Sequence, residues 1–417
     1  MLSKLFAKRI KTQNPSRLQG LFPESNFSDN ISFGGGCPDE SLFPSQALQA
    51  AYQKAVDQEQ AHSFQYHDVK GPGTLRDYLA NRARQQGIKA NADDILLTAG
   101  GQQGLDLVAK LFLGAGDEMA VEAPSYVGAL SAFDNYEPVY HEIPLEDDGV
   151  NLDYFEEVLK EHPAIKLFYT VPDFHNPTGI TISLAKRQRL VDLANRYDFV
   201  ILEDTPYRDL RYHGESLPSI KSFDTEGRVI FLSSFSKILS PAFRLGWLVA
   251  SPEIKEQLVN LKLSADLEVP YLAAGTVATY LANNDLDQHI DQLKQVYRVK
   301  LDAMAKALKT YLPADAKISQ PEGGFFFWVE LDDEIDTRQL LLNEAVPKEH
   351  LIYVPSASFY PNWDKNNGLR VNFTGSSLSQ IDEGAERLGR ILSPAQTASG
   401  STSPALASAR SMKELSA

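Results

Sequence analysis

The chain has 417 residues, with 40 Lys and Arg against 55 Asp and Glu for a formal net charge of −15, and apolar and charged shares of 43% and 23%. This length suits a large domain with a smaller companion, and the ordinary apolar share is enough for a sizeable core. The acidic balance argues against nucleic acid as a partner, because phosphate binding needs a basic face, and the single cysteine, Cys37, excludes an intrachain disulfide or a cysteine-built metal centre.

At the amino end, MLSKLFAKRIKTQNPSRL carries basic residues but no apolar core of the length a secretory signal needs. No later run is long enough to span a bilayer. We expect a cytoplasmic protein without membrane contact, with organelle targeting left open by the short basic start.

Apolar, β-branched runs then follow at 93–100, 117–124, 165–174, 198–204, 227–237 and 244–251. They are continuous rather than alternating, as strands buried on both faces of a parallel sheet should be. Helical patterns separate several of them, such as LAKRQRLVDLANRYD, where Leu184, Leu190, Val191 and Ala194 share a face. The expected fold class is α/β: a mostly parallel central sheet with flanking helices. From about 286 the texture changes to a long charged helix, a strand after the Gly-Gly turn of QPEGGFFFWVEL, a helix near 337–345, the segment LIYVPSASF and the strand-like LRVNFTG. These shorter mixed units predict a smaller α+β domain. The Ser/Ala-rich tail after Ser393 predicts disorder.

Ligands of open α/β sheets lie beyond the carboxyl ends of the strands, so the residues there carry the functional signal. After DDILLTA comes Gly100-Gly101-Gln102-Gln103-Gly104, opening a helical run. It is either a structural turn or a backbone cradle for a phosphate at a helix N-terminus. After DEMAVEAP stands Tyr126, either a core ring or a flat plate for a flat cofactor. HNPTG places Asn176 in a turn whose amide could project into the crevice; we read His175 as a surface or supporting residue, with no metal partners spaced for it. No metal site is expected.

After DFVIL come Glu203 and Asp204. A carboxylate ending a buried strand needs a cation or donors, and a protonated ring nitrogen would serve Asp204, while Glu203 faces the other way. After RVIFL come Ser234, Ser236, Lys237 and then Arg244. Two hydroxyls and a guanidinium describe a phosphate pocket, and a partly desolvated lysine can shed its proton and form Schiff bases. A lone lysine is ordinarily a solvated charge; this surrounding set reverses that reading. Together the groups fit pyridoxal 5′-phosphate.

Over about 31–391 the chain resembles the fold-type I, class I/II pyridoxal-phosphate aminotransferases. FGGGCPDESLFP looks like the family's substrate loop and implies Gly36 near the substrate carboxylate. FQYHDVKGPGTLRDYLA implies that Tyr66 reaches the phosphate of the neighbouring subunit's cofactor in a homodimer. TAGGQQGLDL implies Gly101 and Gln102 as phosphate contacts, although a hydroxyl residue is common where Gly101 stands. EAPSYVG implies Tyr126 as the stacking ring; HNPTG implies Asn176 on the cofactor's O3′ and beside substrate. EDTPYRDL implies Asp204 on the pyridine nitrogen and Tyr207 on O3′. SFSK and PAFRLGW imply Lys237 as the Schiff-base lysine, with Ser234, Ser236 and Arg244 on the phosphate; LRVNFTG implies Arg370 on the substrate α-carboxylate.

ISFGGGCPDESLFP and QPEGGFFFWVEL look most like the branch with α-aminoadipate, kynurenine and broad-specificity aromatic or branched-chain aminotransferases. There an N-terminal helix can close over the substrate, which implies Arg17 as a contact for an acidic side chain. The resemblance implies a segment 1–45 packing with the small domain and substrate loop, a large cofactor-binding domain 46–289, a small domain 290–392 and a disordered tail 393–417. The expected reaction is transamination between an L-amino acid and a 2-oxo acid such as 2-oxoglutarate, in ping-pong order. A β-eliminating lyase or decarboxylating relative shares the fold and cofactor and stays open as an alternative. A cofactor-binding regulator without turnover is the less favoured reading, because about thirty residues before the motif are too few for a DNA-binding domain.

Overall fold

The computed structural model describes residues 2–12 and 29–392. Its strands, in chain order, are β1 Ile31–Ser32, β2 Ile95–Thr98, β3 Glu118–Ala123, β4 Val139–Glu146, β5 Gly149–Val150, β6 Ile165–Thr170, β7 Val200–Asp204, β8 Val229–Ser234, β9 Gly246–Val249, β10 Lys317–Ile318, β11 Phe326–Glu330, β12 Leu351–Ile352, β13 Val354–Pro355 and β14 Gly368–Asn372.

The central sheet has eight strands in the order β2-β9-β8-β7-β6-β3-β4-β5. Its middle is parallel: β4 with β3, β3 with β6, β6 with β7 and β7 with β8. Of these, β3, β6, β7 and β8 are the continuous apolar runs, buried along nearly their whole length. β9 runs against both β8 and β2. The connection from β8 to β9 carries a 3-10 turn at Pro241–Phe243 and no crossover helix, so a parallel return was sterically out of reach. β4 escapes an apolar-run reading because only its centre is buried, and VYHEIPLE mixes polar with apolar residues.

Helix Leu184–Tyr197 buries Leu190, Val191 and Ala194, as its periodicity predicts. Leu184, at its first position, is instead 40% exposed, and Arg187 is fully buried. The guanidinium of Arg187 donates to Asp173 Oδ1 at 2.6 Å and to the carbonyls of Pro172 and Ile182, each at 2.9 Å. Such a buried charge is tolerable only because nearly every donor is matched.

The second sheet is antiparallel, in the order β10-β11-β14-β13. The helix expected near 337–345 starts at Thr337, widens by one turn at Leu341–Ala345 and resumes over Val346–Glu349. β12 pairs in parallel with β1, and the backbone N–H of Asn372 in β14 donates to Phe33 O at 2.8 Å. These bonds lay the Gly34–Cys37 stretch across the end of the second sheet. The expected disordered tail, 393–417, lies outside the described residues. Among the described residues, no helix is long and apolar enough to cross a membrane.

Helices Leu286–Tyr311 and Leu378–Leu392 pack so closely that a Cβ at Gly389 would overlap the Tyr311 carbonyl oxygen. Gly389→Ala should therefore destabilise the fold by about 1–3 kcal/mol, the usual cost of overpacking, read as a lower denaturant midpoint. Unchanged stability would show that the two helices can part without loss.

Candidate active site

The strand ends bring polar groups together because a buried strand can only end in polar residues where something outside the sheet meets them. Asp204 closes β7; it is buried, and its Oδ2 accepts from the Tyr169 hydroxyl at 2.9 Å. Burial pushes its carboxyl up to about 7, with the Tyr169 hydrogen bond pulling the other way. Glu203 faces the opposite side, where Ser219 Oγ and the backbone N–H groups of Ile220 and Lys221 donate to it at 2.7–2.8 Å.

β8 runs out into Ser234 and Ser236. Ser234 Oγ accepts from the Ser236 N–H at 3.0 Å and stands 2.8 Å from Ser236 Oγ. Arg244 adopts a left-handed backbone, φ 48°. Its guanidinium lies where a Cβ on Gly100 would sit, 2.5 Å away, and Gly100 itself has φ 76°. Only glycine meets both demands. A Cβ at Gly246 would likewise come within 2.8 Å of the Gly100 carbonyl carbon, so β9 presses the turn against Arg244. Gln102 donates to Gly128 O at 2.7 Å and joins this turn to the one carrying Tyr126.

Lys237 follows directly. Its Nζ donates to Gly36 O at 2.7 Å. Burial, with smaller contributions from the positive charges of Arg370 and Arg244 and an opposing one from Cys37, lowers the ammonium to about 8. With no carboxylate bonded to it, this lysine is a weakly held proton rather than half of an ion pair. Arg370, in β14, is buried; Nη1 donates to Asn176 Oδ1 at 2.8 Å and Nη2 to Gly34 O at 2.6 Å, while Nε has no partner. Its Cζ lies 4.3 Å from the Phe326 ring centre and 5.4 Å from that of Phe359.

Ten of the expected residues line one cavity: Gly101, Gln102, Tyr126, Asn176, Asp204, Tyr207, Ser234, Ser236, Lys237 and Arg244. Gly36 and Arg370 join it through Lys237 and Asn176. Tyr66 is 74% exposed and stands outside the cavity wall. Arg17 lies outside the described residues. A Cβ at Gly101 would meet nothing within 4 Å, so the position has room for the hydroxyl residue it lacks.

Of the two readings of His175, the structure excludes the surface one and keeps the supporting one. The residue is 1% exposed rather than at the surface, with Nε2 3.2 Å from the fully buried Glu122 and Nδ1 2.8 Å from Thr178 Oγ1. It faces inward because the turn it opens folds back on β3, where Glu122 also accepts from Thr170 Oγ1 at 2.7 Å and Val171 N at 3.0 Å. Sequence reasoning passed over Glu122 and Tyr169. The one available signal was a polar group within otherwise apolar strand runs, such as Tyr169 beside the β7 terminus.

The model of the family "Aminotransferase class I and II" matches residues 34–388. An aromatic-amino-acid aminotransferase of Thermococcus litoralis is 40% identical, with 93% of this chain and 94% of that protein covered. A 2-aminoadipate transaminase of Thermus thermophilus is 34% identical over 94% of this chain and 97% of its own. The solved structure of a Pyrococcus horikoshii kynurenine aminotransferase superposes with a TM-score of 0.89 at 38% identity, covering 94% and 97% of the two chains.

Asp204 also governs stability with pH. Its folded pKa is raised from 3.8 to about 7, so in cofactor-free protein its contribution is whole below about pH 4 and is lost as pH rises through 7. Asp204→Asn should then be more stable than wild type at pH 8, on the order of 2–4 kcal/mol, and the gap should shrink toward pH 5. Urea unfolding across that range measures it; a gain independent of pH would remove the carboxylate as its cause.

Proposed function

Because the chain belongs to the class I and II aminotransferases, which use pyridoxal 5′-phosphate, we propose that it moves the amino group of an L-amino acid with an aromatic, branched-chain or aminoadipate-like side chain to a 2-oxo acid such as 2-oxoglutarate. The route is ping-pong, and the enzyme works as a cytoplasmic homodimer. One observation carries the reading: a proton-poor lysine, a strand-end carboxylate and a hydroxyl-guanidinium turn share one cavity wall.

That donor set fits the cofactor. Ser234, Ser236, Arg244 and the Gly100–Gly101 turn suit a phosphate. Asp204, whose carboxyl burial raises to about 7, suits a ring nitrogen that it would keep positively charged. Tyr126 offers its ring face. Asn176 Oδ1 is taken by Arg370, which leaves the Nδ2 hydrogens to donate toward a phenolic oxygen, with Tyr207 beside it.

When bound, the cofactor supplies an electron sink for negative charge developing at the substrate Cα. The chain's own residues do the rest. Lys237, part neutral near pH 8, would leave Gly36 O, take the Cα proton as general base and hand it as general acid to the cofactor's C4′ carbon, so that the amino group stays with the cofactor when the 2-oxo acid leaves. Arg370 receives the α-carboxylate on its unpartnered edge and so fixes the direction of the Cα–H bond. The aromatic rings of Phe326 and Phe359 exclude water around it. Exposed Phe64 and Tyr66, 67% and 74% open, support a subunit contact through which Tyr66 reaches the partner's phosphate.

The domain division 46–289 and 290–392 belongs to the same proposal. In support, the central sheet draws on 95–249 and the second on 317–372. The segment 1–45 reaches the smaller unit through β1 and through Asp39, which Lys300 meets at 2.6 Å.

Lys237→Ala should keep its fold and lose at least ~10²–10⁴-fold in kcat, together with the absorbance of lysine-linked cofactor. Wild-type turnover in that variant would sink the assignment. Arg370→Leu should lower kcat/KM by about 10²-fold, the scale of one lost buried charge contact. In a donor panel with 2-oxoglutarate, aromatic, branched-chain or 2-aminoadipate donors should turn over only when the 2-oxo acid is present; ammonia release without it would point to elimination instead.

A further inference from the structure

We propose that Glu118, His141 and His162 form a binding site for one divalent transition-metal ion of the Zn²⁺ type, remote from the catalytic crevice. The three residues lie far apart in sequence, so no spacing motif announces them, and the expectation of no metal site rested on the single cysteine and the lack of spaced partners for His175. The fold brings them together. Glu118 opens β3, and His141 in β4 stands opposite Ala120, which puts both side chains on one face of the sheet. His162 caps the C-terminus of helix Leu152–Glu161 just before β6, whose Ile165 pairs with Glu118.

His141 Nε2 lies 2.7 Å and His162 Nδ1 3.3 Å from the same Glu118 oxygen, and the two rings are 4.2 Å apart between centres. One ligand atom from each residue falls within 4.8 Å of the other two. Tetrahedral bonds of about 2.0–2.2 Å set neighbouring ligand atoms roughly 3.4 Å apart, so small rotations of these side chains would seat an ion. Two imidazole nitrogens and one carboxylate with no thiolate suit Zn²⁺, Co²⁺ or Ni²⁺, with a water in the remaining position. The side chains are 13% (His141), 25% (Glu118) and 43% (His162) exposed, which gives an ion a way in. The carbonyl end of the helix that His162 caps adds a favourable field for a cation.

Glu118 begins its strand, whereas the crevice groups stand where strands end. The ion would therefore clip β4 and the entry to β6 onto β3, in the sheet order β6-β3-β4, and strengthen the fold without touching substrate.

Titrating the holoenzyme with Zn²⁺ by calorimetry, with thermal unfolding in parallel, tests this. One Zn²⁺ per chain should bind, with a midpoint that rises by a few degrees at roughly 100-fold above Kd. Both effects should vanish in Glu118→Gln and in the double variant His141→Gln/His162→Asn, at unchanged kcat. Co²⁺ should give visible absorption bands in wild type that both variants lack. Equal Zn²⁺ binding by the variants, or no stoichiometric binding by wild type at millimolar Zn²⁺, would overturn the site.

Discussion

One buried guanidinium holds the crevice together. Arg370 comes from β14 of the second sheet, bonds Asn176 on the turn after β6, and bonds Gly34 O on the segment after β1. Three stretches distant in sequence thus meet on one charge. Desolvating a guanidinium is expensive unless its donors are matched, and here one edge is left open, which burial registers by lowering the group to about 10. A carboxylate arriving on that edge would complete the set.

The same imbalance runs through the rest of the cavity. Lys237, Arg244 and Arg370 place three cations around a single carboxylate, Asp204, whose own charge burial disfavours. Left to itself the crevice repels its lysine's proton and holds its aspartate's. An anionic phosphate beside Arg244 and a cationic ring nitrogen beside Asp204 would relieve both strains at once, so the electrostatic cost of these buried groups and their affinity for such a ligand have one origin. The fold sustains that cost through positions that are paired throughout, such as Arg187 with Asp173 and Glu203 with its three donors.

Much of this was legible before any coordinates. Continuous apolar runs marked the middle strands because burial on both faces leaves no alternation to read. Polar residues at the ends of those runs marked the crevice, since a buried chain can end that way only where partners from outside the sheet meet it. Legibility failed where neighbours in space decide. β4 is half-buried and lost its signal; the direction of β9 follows from the short link after β8; Leu184 shares the helical period of its neighbours yet stands in the open. Nothing local in HNPTG tells a surface histidine from a supporting one; the buried Glu122 beside His175 decides it.

The sequence by itself determined the class of fold and which polar residues stand at the strand ends, because strand burial and strand-end polarity are local in the chain. Tertiary structure decided what those residues are chemically. Lys237 gives up its proton more readily because the fold buries it, with Arg370 and Arg244 adding to the effect, and burial raises the Asp204 carboxyl against the pull of the Tyr169 hydrogen bond. Glu118, His141 and His162 become a cluster only when β3 and β4 pair and the helix end before β6 settles beside them. Charge interactions act through space, and no pattern along the chain encodes a distance between segments that folding alone brings together.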